Sequence, residues 1–348
     1  MSTRITQNSI NRSYLSNLSN SQYSMNMSMD KVQSGRAFTK VSENVSAGTK
    51  ALNIRSKMYK NQQVRDNVEI ANEQLTVAED SLVSINEIVS NIRSEVLKVL
   101  NGTNNKVGKE VYTTVLQNSK DSIMKLANCK YNDKYIMGGT NIKTQPYTVD
   151  ENGKFQFNGV NVEDVELNNG KFEANGESVP YSSETYIDIG LDICVVQGTV
   201  DPRTAYKVSV SGLNSLGYGK SDITYKDMSG NEKTYEVSNN IYDVITDMSK
   251  AIEDDDMDKL SALYDHLGNC SNKISTTVSD IGMRCNFLDT TLVRLENENL
   301  SLSQMQKDTE GIDDATEIMN YMNYEYAWNL TMQFGSKVIP QSLMDFIR

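Results

Sequence analysis

The chain is poor in the residues that most catalytic and metal sites require. It has one histidine, His266, and four cysteines, Cys129, Cys194, Cys270 and Cys285, in 348 residues. The cysteine spacing fits no zinc motif, and a Ser-His-Asp or Cys-His arrangement would have to use His266. We expect His266 to lie on a helix surface and the cysteines to be buried free thiols. The sequence therefore predicts neither an enzyme nor a bound metal or cofactor.

The composition also lacks positive charge and long apolar segments. A formal net charge of −12 argues against binding to nucleic acid or to anionic lipid. A membrane-spanning helix needs a run of about 18 apolar residues, and no such run occurs. The first residues, MSTRITQNSINRSY, lack the apolar core of a secretory signal. If the protein leaves the cell, we expect it to use another route.

Proline and glycine are scarce at both ends and frequent in the middle. Residues 141–240 contain three of the four prolines and half of the 20 glycines, and residues 1–140 contain no proline. Because these residues interrupt regular helices, the distribution predicts turns in the middle and long helices on either side.

The end segments carry helical repeats of apolar residues. From Val64 to Val99 the spacing alternates between four and three over about five heptads. From Leu260 to Leu302 an apolar residue recurs every seventh position, which is typical of a helix that packs along one seam. Shorter patterns predict helices before Ser34-Gly35, at about 108–129 and at about 312–338.

The middle segment carries hairpin patterns instead. YTVDENGKFQF, VELNNGKFEA and SDITYKDMSGNEKTYEV each place two alternating runs around Asn-Gly or Ser-Gly-Asn. The predicted fold class is therefore α+β, with long N- and C-terminal helices forming a coiled-coil rod and an inserted, mostly β outer domain. The predicted divisions are a helical half over 1–140, the β-rich domain over 141–240 and a second helical half over 241–348.

Two stretches that resemble ligand sites are better explained as structure. GYGKS, from Gly217 to Ser221, lacks the earlier glycine of a phosphate-binding loop, and a strand pattern follows it instead of a helix. The run Asp254-Asp255-Asp256 lacks the glycine and the closing glutamate of a calcium loop. We predict that this run is a solvated linker that caps a helix beginning near Met257.

Three stretches resemble the flagellin superfamily, and within it the hook–filament junction proteins. MDKVQSGRAFTKVSENVSAGTKALNIRSKM resembles the conserved N-terminal segment of that family. LANCKYNDKYIMGGTNIKTQPY resembles a segment of the junction proteins that typical filament flagellins lack. The C-terminal stretches from SDIGMRCNFLD to PQSLMDFIR resemble the family's ending.

The resemblance implies a role without catalysis. The residues it assigns to assembly, together with the apolar pattern at the chain end, are Tyr135, Ile136, Gly139, Thr140, Gly282, Arg284, Asn286, Leu343, Phe346 and Ile347. It also implies an extracellular location in the bacterial flagellum, reached unfolded through the flagellar export apparatus without a cleaved signal peptide. The implied partners are a homo-oligomeric ring, a hook-associated protein on the hook side, flagellin on the filament side and an export chaperone.

Two alternatives remain open from the residues. One is a filament flagellin, which shares the helical ends. The other is a surface-displayed binding module, in which the β domain binds a glycan or protein and the helices serve as a handle. Copy number in isolated flagella separates the first alternative from a junction protein, and ligand binding by residues 141–240 alone would favour the second.

Overall fold

The computed structural model is α+β, as the repeat and hairpin patterns predict. The residues it describes are 7–101, 106–168, 170–196, 198–201, 203–226 and 232–338. The chain forms two compact units. The terminal unit contains residues 1–62 and 296–348, and the central unit contains residues 63–295.

Helices dominate the two ends of the chain. The bounds are α1 Gln7–Ser34, α2 Val45–Leu100, α3 Lys106–Ala127, α4 Gly212–Leu216, α5 Ile241–Glu253, α6 Met257–Glu310 and α7 Asp314–Val338. The predicted helices all occur, and α6 is longer than the repeat alone required. Asp256 accepts a hydrogen bond from the Lys259 amide at 3.0 Å, so the acidic linker caps α6 as predicted.

Short antiparallel strands lie between Lys130 and Ser238. Their bounds are β1 Lys130–Tyr131, β2 Lys134–Tyr135, β3 Tyr147–Val149, β4 Phe155–Phe157, β5 Val160–Asn161, β6 Val165–Asn168, β7 Lys171–Ala174, β8 Glu177–Ser178, β9 Tyr186–Asp188, β10 Val195–Val196, β11 Thr199–Val200, β12 Ala205–Lys207, β13 Lys220–Lys226 and β14 Glu232–Ser238. The sheets are β1-β2, β3-β4-β5, β6-β7-β8, β9-β12, β10-β11 and β13-β14.

All three predicted hairpins are confirmed. They are β3-β4, β6-β7 and β13-β14. The hairpin β1-β2 was not predicted. Asn132 and Asp133 both have positive φ, at 47° and 60°, which suits the two-residue turns that match strand twist. The Asn-Asp pair was the available signal for this turn.

In the central unit, α2 and α6 run antiparallel along the repeat positions. Asn72 donates to Asp289 at 2.8 Å, and further along Ser271 donates to Asn86 at 2.7 Å. The repeat residues from Val64 to Val99 are each at most 5% exposed. Those from Leu260 to Leu295 are each at most 1% exposed, so the seam that the sequence predicts is buried.

The central unit also buries an aromatic stack that joins strands to helices. Tyr147 stacks on Phe155 at 4.8 Å between ring centroids, and Phe155 stacks on Tyr242 of α5 at 4.9 Å. The Lys120 ammonium of α3 lies 4.6 Å from the Tyr242 ring centroid. Offset rings and a cation over a ring face each add to the burial energy. The stack therefore fastens the first hairpin to α3 and α5.

Two side-chain predictions need correction. His266 is not a helix-surface residue: it is 9% exposed, and its Nε2 lies 3.2 Å from the Ser238 carbonyl oxygen. The reason is that the residues just before α5 lie against His266 on α6. The apolar pattern of α6 alone cannot reveal this contact. All four cysteines are free thiols, but only Cys270 is fully buried and Cys194 is exposed.

Candidate functional site

The terminal unit is built on an antiparallel pair of helices, α1 and α7. Ser28 of α1 donates to the Glu317 carboxylate of α7 at 2.8 Å. Towards the other end of α7, Gly335 lies against Tyr14, where a Cβ would stand 2.0 Å from the tyrosine hydroxyl. Glycine at this position lets the two helices approach closely, because any side chain would displace the Tyr14 ring.

This helix pair leaves much of its apolar surface exposed. Met322 is 61% exposed and Tyr326 is 66% exposed. The exposed large apolar side chains of the pair are Ile10, Leu15, Tyr23, Met29, Ile318, Met319, Met322, Tyr324, Tyr326, Met332 and Phe334. On α7 their spacing places them on more than one side of the helix, and exposed apolar surface of this extent marks contacts with other proteins. We call this set the terminal apolar face.

The stretch from Leu126 to Tyr147, LANCKYNDKYIMGGTNIKTQPY, lies in the central unit, where its residues contact one another and a neighbouring loop. The Ile136 amide donates to the Cys129 carbonyl at 3.3 Å, and Tyr135 lies under the Lys130 ammonium at 4.5 Å from its ring centroid. Both side chains are half-buried, so they fix the β1-β2 turn rather than form an open surface.

Gly139 and Thr140 hold the same segment against the loop that contains Tyr181. The Thr140 amide donates to the Tyr181 carbonyl at 2.9 Å. Gly139 has φ +67°, and a Cβ there would stand 2.1 Å from the same carbonyl oxygen. Both the backbone conformation and the close approach therefore require glycine.

Sequence reasoning missed an asparagine in this segment. The Asn128 amide nitrogen donates to the Tyr147 carbonyl at 3.1 Å, and its oxygen accepts from the Tyr147 amide at 3.0 Å. One side chain thus satisfies both backbone groups of the first residue of β3, as a neighbouring strand would. The signal available in the sequence was its position in the LAN stretch, directly after α3.

Of the predicted residues on α6, Gly282 lies close to α2 and Arg284 contacts the loop that contains Ser209. A Cβ on Gly282 would lie 3.3 Å from the Glu79 carboxylate of α2. Arg284 binds Asp280 at 2.5 Å and also donates to the Ser209 carbonyl at 3.4 Å. Asn286 is exposed.

The predicted assembly residues at 135–139 and the predicted Arg284 of α6 both lie against residues 208–210. Tyr135, Ile136 and Gly139 line a small cleft of about 90 Å³ with Val208, Ser209 and Val210. Arg284 reaches the same stretch through the Ser209 carbonyl. Leu343, Phe346 and Ile347 lie outside the described residues.

Burial shifts the pKa of several ionisable groups of the central unit. Burial raises the pKa of Asp243 to about 6, although its carboxylate accepts a hydrogen bond from the Phe155 amide at 3.3 Å. Burial lowers the pKa of Lys120 and of His266, and raises the pKa of Cys270 to about 11. Desolvation is the leading cause in each case, since it disfavours the charged form. Asp243 therefore titrates near neutral pH, whereas the Cys270 thiol stays protonated there.

Two further properties concern the described part of the chain. Within it, no cluster of three or more histidine, cysteine or carboxylate side chains has the geometry to hold a metal ion. None of the helices in that part combines the length and the apolar content that crossing a membrane requires.

Residues 5–142 match the family model of the bacterial flagellin N-terminal helical region. No curated protein matches this sequence. Among solved structures, a protein described as a flagellar hook-associated protein from Vibrio parahaemolyticus matches with 17% identity and a TM-score of 0.53, covering 77% of this chain and 100% of its own.

Two other solved structures share this fold. FlgL of Xanthomonas campestris is 12% identical with a TM-score of 0.51, covering 73% of this chain and 98% of its own. Flagellar hook associated protein-3 of Legionella pneumophila is 12% identical with a TM-score of 0.50, covering 74% of this chain and 96% of its own. At such identities the likeness establishes a common fold.

Proposed function

We propose that this protein is a structural component of the bacterial flagellum that joins the hook to the filament. The observation that carries the proposal is the terminal apolar face on α1 and α7, in a chain whose fold is that of hook-associated proteins. Burial of a large apolar side chain contributes roughly 1.5–3 kcal/mol. A face of this kind is therefore strongly stabilised once neighbouring subunits cover it.

The proposed mechanism is self-assembly without catalysis. Each subunit contributes α1 and α7 to a homo-oligomeric ring, with a hook-associated protein on one side and flagellin on the other. The subunit reaches the extracellular end of the growing flagellum through the flagellar export apparatus, escorted in the cytoplasm by an export chaperone. The residues that the central unit contributes to contacts between subunits in this proposal are Tyr135, Ile136, Gly139, Thr140, Gly282, Arg284 and Asn286.

A second candidate is a filament flagellin, which the match of residues 5–142 to the flagellin helical region favours equally. Immunoelectron microscopy with an antibody against the central unit separates the two. A single labelled band at the distal end of the hook supports the junction function. Labelling along the filament would instead support the flagellin, and unlabelled flagella would overturn both.

The chain end supplies a second test. We predict that residues 340–348, with Leu343, Met344, Phe346 and Ile347, form an assembly element, because burying these four large apolar groups repays the cost of ordering the stretch only when neighbours shield them. Truncation after Ile339 should leave the central unit folded but prevent incorporation into flagella. A truncated protein that still supports full-length filaments would contradict this role.

A further inference from the structure

A buried carboxylate connects two turns of the terminal unit. Glu310, the last residue of α6, is 3% exposed. The Arg55 guanidinium on α2 donates to its Oε2 at 2.6 Å, and the Nε of Arg36, in the turn before α2, lies 3.8 Å from the same oxygen. The Arg55 contact is a short, charge-assisted hydrogen bond, and the more distant Arg36 adds a second positive charge, so both offset the cost of burying the carboxylate.

The backbone reinforces this contact at the same place. The Ala37 amide donates to the Glu310 carbonyl at 2.7 Å, and Arg36 forms an isolated antiparallel bridge with Gly311. The turn that follows α1 is thereby joined to the turn that precedes α7. These are the two points at which the chain enters and leaves the helix pair that carries the terminal apolar face.

We infer that Glu310 is a positioning residue for assembly, which with Arg36 and Arg55 forms a latch that sets the direction of α1 and α7. A buried carboxylate that loses one cationic partner is costly, so the latch has one favoured geometry. Its Oε1 has no hydrogen-bond partner among the described residues, so the two arginines carry most of its compensation. This inference rests on the proposed function, because it assigns the latch to the same polymerising surface.

The latch is tested first on the full-length monomer by hydrogen exchange. Glu310→Gln and Arg55→Gln should raise exchange in residues 36–44 by at least about tenfold, since each removes a charged hydrogen bond. Arg55→Lys retains the charge and should raise exchange much less than Arg55→Gln. Glu296→Gln changes an exposed carboxylate of α6 in the terminal unit and serves as the matched control. Unchanged exchange in Glu310→Gln would overturn the latch.

The second measurement is incorporation into flagella, in a strain that lacks the native gene and expresses each variant. Immunoblots of purified flagella should show at least about tenfold less Glu310→Gln than Glu296→Gln, with Arg55→Lys close to wild type. Faster exchange together with normal incorporation would overturn the positioning role. If Glu310→Gln also raises exchange in the central unit, the arginine variants carry the test of the positioning role. Lower incorporation of Arg55→Gln than of Arg55→Lys supports that role, and equal incorporation of the two overturns it. Absence of the wild-type protein from flagella would overturn the proposed function, whereas the exchange data would still decide the latch.

Discussion

The terminal unit and the central unit both carry helical patterns of apolar residues, but they differ in how far those residues are buried. In the central unit, Leu288 of α6 is fully buried, as are its repeat neighbours. In the terminal unit, Met322 of α7 is 61% exposed although it lies in the apolar pattern that predicts this helix. Helices gain most of their stability from packing of an apolar face. The central unit therefore buries its apolar repeats within one chain, whereas the terminal unit leaves much of its apolar pattern exposed, as the proposed assembly requires.

Hydrogen exchange on the monomer should give the largest difference between the units. Amides of α1 and α7 should exchange at least about a hundredfold faster than those of α2 between residues 63 and 100, because few buried contacts protect them. We expect little protection over residues 5–35 and 312–348. Equal protection in the two units of a dilute monomer would contradict the difference in packing between them.

A cavity in the seam should destabilise the monomer strongly. Leu288→Ala removes a fully buried side chain and should lower the free energy of unfolding by about 2–5 kcal/mol. Val293→Ala changes a side chain of the same helix that is 58% exposed, and should alter it by about 0.5 kcal/mol or less. Urea denaturation followed by circular dichroism measures both. Similar losses in the two variants would show that this seam does not carry the stability of the unit.

Titration of Asp243 should make the free energy of unfolding of the central unit depend on pH. Its pKa is raised from 3.8 to about 6 by burial, and Lys154, Glu163 and Asp247 are its charged neighbours. The folded state therefore binds the proton more tightly than the unfolded state. The resulting stabilisation is present below about pH 4 and is lost as the pH rises through about 6.

Asp243→Asn should remove this dependence. Relative to wild type, its free energy of unfolding should increase between pH 4 and pH 7 by about 1–3 kcal/mol. Asp222→Asn alters an exposed carboxylate of β13 and provides the control. A constant difference between Asp243→Asn and wild type across this range would show that Asp243 does not titrate there.

The smallest effect on the monomer should come from the terminal apolar face. Met322→Ser should change the free energy of unfolding by about 0.5 kcal/mol or less, because the side chain is already exposed. The same variant should enter flagella several-fold less well than Asn323→Ser, which alters an exposed polar neighbour. A large loss of monomer stability, or undiminished incorporation, would contradict the difference between the units.

The proposed domain boundaries at residues 140 and 240 stay a prediction. Proline and glycine frequency located the strands well, but it carries no information on which helix covers them. Phe155 stacks on Tyr242, which lies just beyond the second boundary. We therefore expect a fragment that includes α3 and α5 to be more stable than residues 141–240 alone.

The sequence by itself determined the helices, their buried seams and the three predicted hairpins. Each depends on a local period or turn pair, so neighbouring residues suffice to specify it. The burial of His266 against Ser238, the clamp made by Gly139 on Tyr181 and the latch of Glu310 with Arg36 and Arg55 were decided only by the tertiary structure. In these cases the partners are distant along the chain, and no periodic pattern relates them. Their contacts exist because packing of the longer elements brings the partners together.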